Sequence, residues 1–190
     1  RGESYRDTAL VLSRFVSALM IRTFGQDEVD EFAEHASIPV INGLTDQAHP
    51  LQALADAMTL RERFGATAGL RVAYVGDGNN VCVSLMTAGA LMGMAVTAAC
   101  PEGFAPDPSF VEWADGVARS HGGSARVVGD PREAAAGARA LYTDTWTSMG
   151  QEAETEKRKA AFAAFTVNAA LMAQAASDAV FMHCLPAHRG

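Results

Sequence analysis

The feature that most constrains this chain is an alternation. Short apolar runs of strand character are separated by stretches of helical periodicity along nearly the whole length. The first helical stretch, "ESYRDTALVLSRFV", brings Leu10, Val11, Phe15 and Val16 to roughly helical spacing. "ALMIRTF" follows as a buried strand, and "QDEVDEFAEHA" as a helix with acidic residues in its first turn, where the helix dipole favours them. "IPVING" is a second strand, and "HPLQALADAMTLRERF" a longer helix with Pro50 suited to its first position. Beyond the small-residue link "GATAG" the strands are "LRVAYVG", "MAVTAAC", "SARVVG", "ALYTDTW" and "AVFMHCL". Helices are predicted between them at about 82–93, 107–121, 131–138 and 151–176, the last with Phe162, Phe165, Ala169 and Met172 along one face. This pattern predicts an α/β fold built on a doubly wound, mostly parallel sheet. The link divides it into a partial first domain, residues 1–65, and a nearly complete second domain, residues 66–190.

In sheets of this kind ligands bind at the carboxyl ends of the strands. The residues placed there are Arg22 and Thr23, Asn42 to Gln52, Gly76 to Asn80, Asp144 to Gly150, and His183 to Pro186. Side chains able to bind or to catalyse therefore gather on one edge of the predicted sheet.

Composition removes other classes of function. A net charge of −7 with no run of Lys or Arg argues against nucleic acid as the main partner. The apolar runs are far too short to span a bilayer, and no secretory signature opens the sequence. Cys82, Cys100 and Cys184 are an odd set without CxxC spacing, which fits a reducing compartment and excludes a disulfide framework or a structural zinc site.

Each motif has a structural and a chemical reading. "GDGNN" follows a strand, but the third glycine of a dinucleotide fingerprint and an acid at the next strand end are both lacking. Gly76 and Gly78 permit a tight turn, Asn79 and Asn80 can cap the next helix, and one Asn can face a polar ligand. In "DQAHPLQ", His49 precedes a helix and Gln52 lies on the same side of its first turn, a carbonyl or oxyanion clamp beside free helix N–H groups. "TDTWTSMG" sets Asp144 and Ser148 in a loop with an exposed-looking Trp146 and Met149. It is either a turn satisfying its own backbone or a loop that closes on an amine. In "MHCLP", strand alternation puts His183 and Cys184 on opposite faces, so a Cys–His nucleophile is disfavoured and Cys184 reads as a soft polar contact.

Taken together, "ESYRDTALVLSRF", "DQAHPLQALAD", "VGDGNN", "TDTWTSMGQE" and "MHCLP" resemble the ornithine carbamoyltransferases, in that family's order and approximate spacing. The resemblance implies that Arg22, His49, Pro50, Leu51, Gln52, Cys184 and Leu185 hold carbamoyl phosphate. It implies that Asn80, Asp144, Ser148 and Met149 hold L-ornithine. Arg22, His49, Asp144 and Cys184 would carry the chemistry, with no cofactor and no metal. It further implies a cytoplasmic homotrimer, or a multiple of trimers. A Ser-x-Arg-Thr phosphate loop is expected upstream of Arg1 and an arginine-bearing helix downstream of Gly190, which makes this chain a central portion. The alternative is a non-catalytic amino-acid-binding relative of the same fold.

Overall fold

The computed structural model describes residues 2–147 and 154–187. Its larger layer is a parallel sheet in the spatial order β5-β4-β3-β6-β7. These strands are β3 (Arg71–Val75), β4 (Ala95–Ala99), β5 (Ser124–Val128), β6 (Ala140–Thr143) and β7 (Val180–His183). After β3 the chain builds outward to β5 and then returns to the other side of β3 with β6. The order reverses between β3 and β6, and at such a switch point a crevice opens beyond the strand ends.

The central strand has the composition its position demands. Val72, Ala73, Tyr74 and Val75 are all buried, because a strand covered on both faces cannot alternate polar with apolar residues. Val72 and Tyr74 face one core with Leu60, Leu85, Met86, Val96 and Tyr142. Ala73 and Val75 face the other, with Leu141, Ala135, Phe162 and Phe165. The first core is roofed by α3 (Pro50–Phe64), α4 (Asn80–Leu91) and α5 (Pro108–Ser120). The second lies under α6 (Pro131–Ala135), α7 (Thr155–Phe162) and the helical turns after it.

The smaller layer pairs β1 (Leu19–Arg22) with β2 (Val40–Leu44) in parallel, flanked by α1 (Tyr5–Leu12) and α2 (Gln26–His35). Its link to the larger layer is α3, whose Ala57 and Leu60 are buried in the first large core. That helix ends where Gly65 takes φ 81°, a conformation that favours glycine.

Two predicted helices differ. The stretch at 131–138 stops at Ala135, and Gly137 at φ 63° turns the chain toward β6. The single helix expected over 151–176 is, among the described residues, α7, a 3₁₀ turn (Ala163–Phe165) and α8 (Ala169–Met172). Thr166 is extended, and the Asn168 side chain accepts from the Leu171 amide at 3.0 Å, starting a new helix where the periodicity ran on unbroken. Phe162 and Phe165 still reach the core, Ala169 is exposed, and Leu171 is buried instead.

Candidate active site

The carboxyl ends of both sheets open on one cleft of about 1130 Å³. From the smaller layer Arg22 enters at the end of β1, and His49 and Gln52 from the start of α3. From the larger layer come Asn79 and Asn80 after β3, Asp144 after β6, and Cys184 and Leu185 after β7. Pro50 and Leu51 do not line it: Pro50 occupies the first helical position and Leu51 turns outward. Ser148 and Met149 lie outside the described residues.

Hydrogen bonds join the halves. The His49 backbone N–H donates to Ser84 Oγ of α4 at 2.7 Å, and Asn80 Nδ2 donates to the Thr45 carbonyl at 2.5 Å. Thr45 is fully buried and its hydroxyl donates to Gln26 Oε1 at 2.8 Å, so the loop before His49 is tied from both sides. His49 is thereby fixed as the residue preceding the helix, its ring beside Arg22 and half-buried. Burial first, and the Arg22 charge second, lower its pKa below 6.5, and Asp144 and the Gly43 backbone oppose this more weakly. The imidazole is accordingly neutral near pH 7 and serves as a hydrogen-bonding group, not as a cation.

Opposite stands Asp144, whose two carboxylate oxygens both accept hydrogen bonds. Oδ2 accepts from Asn79 Nδ2 at 2.8 Å. Oδ1 accepts from the Thr145 amide at 2.6 Å and from the Cys184 thiol at 3.0 Å. Asn79 does two jobs, since its Oδ1 caps α4 through the Val81 and Cys82 amides at 3.0 and 3.2 Å. Sequence reasoning made Asn80 the ligand-facing residue of this pair. The structure puts both in the cleft, with Asn79 on Asp144 and the Asn80 amide on Thr45. The turn that delivers them needs its glycines: Gly76 has φ 145°, and a Cβ on Gly78 would lie 2.4 Å from Pro106 Cδ.

Burial, and then the Asp144 charge, push the Cys184 thiol well above its ordinary value of 9.0. It is held protonated, as a donor, and makes a poor nucleophile. The expected opposition of His183 and Cys184 is corrected here. The strand ends at His183, the alternation ends with it, and ligand atoms of Asp144, His183 and Cys184 lie within 4.8 Å of one another. That spacing is within reach of one shared metal ion, and His183 Nδ1 accepts from the Leu185 amide at 2.9 Å.

Sequence reasoning missed Arg158. It lies in a run of charged residues that reads as a solvated helix face, yet its side chain is only 7% exposed. Its guanidinium donates to Asp77 Oδ2 at 2.6 Å and to the Trp146 carbonyl at 3.1 Å, and lies 5.0 Å from the Phe104 ring centroid. Trp146, expected to be exposed, is partly buried with its ring near that of Phe162. The one available signal was Asp77, an acid inside a turn at a strand end, which needs a partner once buried.

The fold and cleft define an α/β protein with two polar half-sites facing each other across strand ends. One half offers Arg22 and a neutral imidazole, and the other a carboxylate hydrogen-bonded to an amide and a thiol. The aspartate/ornithine carbamoyltransferase family models match the chain in two parts. The carbamoyl-P binding domain matches residues 1–62, and the Asp/Orn binding domain residues 68–190. The chain belongs to this family.

Among its relatives, the ornithine carbamoyltransferase of Symbiobacterium thermophilum is 59% identical over all 190 residues, which cover 61% of that protein. The solved ornithine carbamoyltransferase of Pyrococcus furiosus superposes with a TM-score of 0.95 at 52% identity, over 100% of this chain and 61% of that one. The structure from Gloeobacter violaceus gives 0.91 at 50% identity, over 100% of this chain and 63% of that one. The chain thus spans about three fifths of the length of these relatives.

Proposed function

We propose that the protein transfers the carbamoyl group of carbamoyl phosphate to the δ-amine of L-ornithine, giving L-citrulline and phosphate. The observation that carries this reading is the meeting of the two half-sites in one cleft. The smaller layer, residues 1–65, takes carbamoyl phosphate through Arg22, His49 and Gln52, with Cys184 and Leu185 closing from across the cleft. The larger layer, residues 66–190, takes ornithine through Asn80 and Asp144, and through Ser148 and Met149 of the "TSMG" sequence. The names of the relatives support the choice of ornithine.

The reaction needs no covalent enzyme intermediate. The neutral δ-amine attacks the carbamoyl carbon and forms a C–N bond. The carbonyl oxygen gains charge near Arg22 and His49. The C–O bond to phosphate then breaks, phosphate leaves with the electron pair, and the proton of the attacking amine passes to it. Holding both substrates in line supplies up to ~7–11 kcal/mol. Each fixed donor facing the developing charge adds on the order of 3 kcal/mol. A neutral imidazole donates a hydrogen bond to that oxygen without first having to be discharged. Ornithine's amine is, like that of lysine, mostly protonated at pH 7. Asp144, anchored by Asn79, Thr145 and Cys184, takes that proton in this reading.

The test is an amine panel on the full-length protein with carbamoyl phosphate. Citrulline from ornithine, with no carbamoyl product from aspartate or putrescine, is expected, and carbamoyl aspartate would overturn the assignment. A place in arginine metabolism, a cytoplasmic setting and a homotrimer are supported by the family resemblance. A light-scattering mass of three protomers is the expected assembly.

A further inference from the structure

We propose that Asp56 is a positioning residue that fixes which end of the Gln52 amide faces the cleft, so that the site selects an acyl phosphate carrying an N–H donor. This rests on the reading of Gln52 as a contact of carbamoyl phosphate. Gln52 and Asp56 are one turn apart on α3, and Gln52 Nε2 donates to Asp56 Oδ1 at 3.0 Å. Gln52 lines the cleft, while Asp56 stands behind it, only 5% exposed.

A side-chain amide has two chemically opposite ends, and its hydrogen-bond partners decide which is which. An ionised carboxylate accepts only, so it captures the amide nitrogen and turns the carbonyl Oε1 toward the cleft. There it faces a ligand as an acceptor. A carbamoyl NH₂ satisfies it, and the methyl group of acetyl phosphate leaves it unpaired.

The carboxylate is itself held in place. Its other oxygen, Oδ2, and the Tyr142 hydroxyl are buried, neither has a hydrogen bond of ordinary geometry, and each is the other's polar neighbour. Tyr142 belongs to β6, the strand that also delivers Asp144, so the amide is oriented from the opposite layer. Burial pushes the Asp56 carboxyl up, and Gln52 and Tyr142 pull it back toward the charged form. Arg22 and His49 line the same cleft as Gln52, with Asp144 and Cys184 across it.

The test is calorimetric binding of fresh carbamoyl phosphate and of acetyl phosphate to the full-length protein, its Asp56→Asn and Gln52→Ala variants, and the double variant. An asparagine both donates and accepts, so it no longer dictates the direction of the Gln52 amide. Asp56→Asn is expected to weaken carbamoyl phosphate about tenfold, the size expected for one buried hydrogen bond, and to leave acetyl phosphate within about twofold. In the Gln52→Ala background Asp56→Asn should cost nothing further, because Asp56 acts through Gln52. Equal weakening of both ligands, or no weakening of either, overturns the proposal. If Gln52→Ala leaves carbamoyl phosphate binding intact, the reading of Gln52 falls and takes the proposal with it. Should Asp56→Asn not fold, the Gln52 side-chain NH₂ of the unsubstituted protein decides. Protection from solvent exchange in the absence of ligand supports the orientation, and fast exchange refutes it.

Discussion

The two layers of this molecule bury their apolar residues to different extents. In the five-stranded layer Tyr74, Val96, Leu141 and Tyr142 are sealed off between helices on both faces. In the β1–β2 layer Phe15 is 78%, Phe24 63% and Met20 58% exposed, and few side chains besides Ala9, Val29 and Phe32 are buried. Yet each layer contributes one wall of the cleft. The wall bearing His49 and Gln52 is therefore set less by its own layer than by α3, which shares the larger core, and by the Ser84 and Asn80 hydrogen bonds. Within these 190 residues the neighbouring layer holds that half-site in place.

Four substitutions in the chain, followed by denaturant unfolding, break or sharpen this contrast. Arg158→Ala should cost the most, about 3–5 kcal/mol, because it strands Asp77 as an uncompensated buried charge. Leu60→Ala, on α3 but fully buried in the larger core, should cost about 2–5 kcal/mol, and a cost under about 1 kcal/mol would detach α3 from that core. Ser84→Ala leaves the His49 N–H without its acceptor and should cost about 1–3 kcal/mol, with a loss of carbamoyl phosphate affinity larger than any loss of ornithine affinity. Phe15→Ser should fall within about 0.5 kcal/mol, since the side chain is already in solvent.

The pH behaviour of His49 sharpens the same point. Because the fold lowers its pKa, the unfolded chain binds the proton more readily. The stability linked to this residue is present above pH 6.5 and is lost as the pH falls below it. An NMR titration of the His49 ring should give a midpoint below 6.5, and a higher one would mean the ring is not desolvated against Arg22.

Much of the fold is legible in the sequence because parallel strands buried on both faces leave plain signatures, such as "VAYV" and "MAVTAAC". The strand-end rule also led to Arg22, His49, Gln52, Asp144 and Cys184, since it depends on chain direction alone. Side-chain direction after a strand was not legible: alternation misplaced His183 against Cys184 because it cannot say where the strand stops. Nor was the break at Asn168, where one capping side chain outweighs a continuous apolar period. Arg158 was hidden for a third reason. Its burial depends on Asp77, 81 positions away, and no local pattern reports that.

The central claim is that the cleft divides two substrates between the two layers, and steady-state citrulline formation by the full-length protein tests it most directly. Arg22→Ala should raise the KM for carbamoyl phosphate and spare that for ornithine, and Asp144→Asn should do the reverse while also lowering kcat. The claim is contradicted if both substitutions raise the same KM, or if Asp144→Asn leaves kcat and the ornithine KM unchanged.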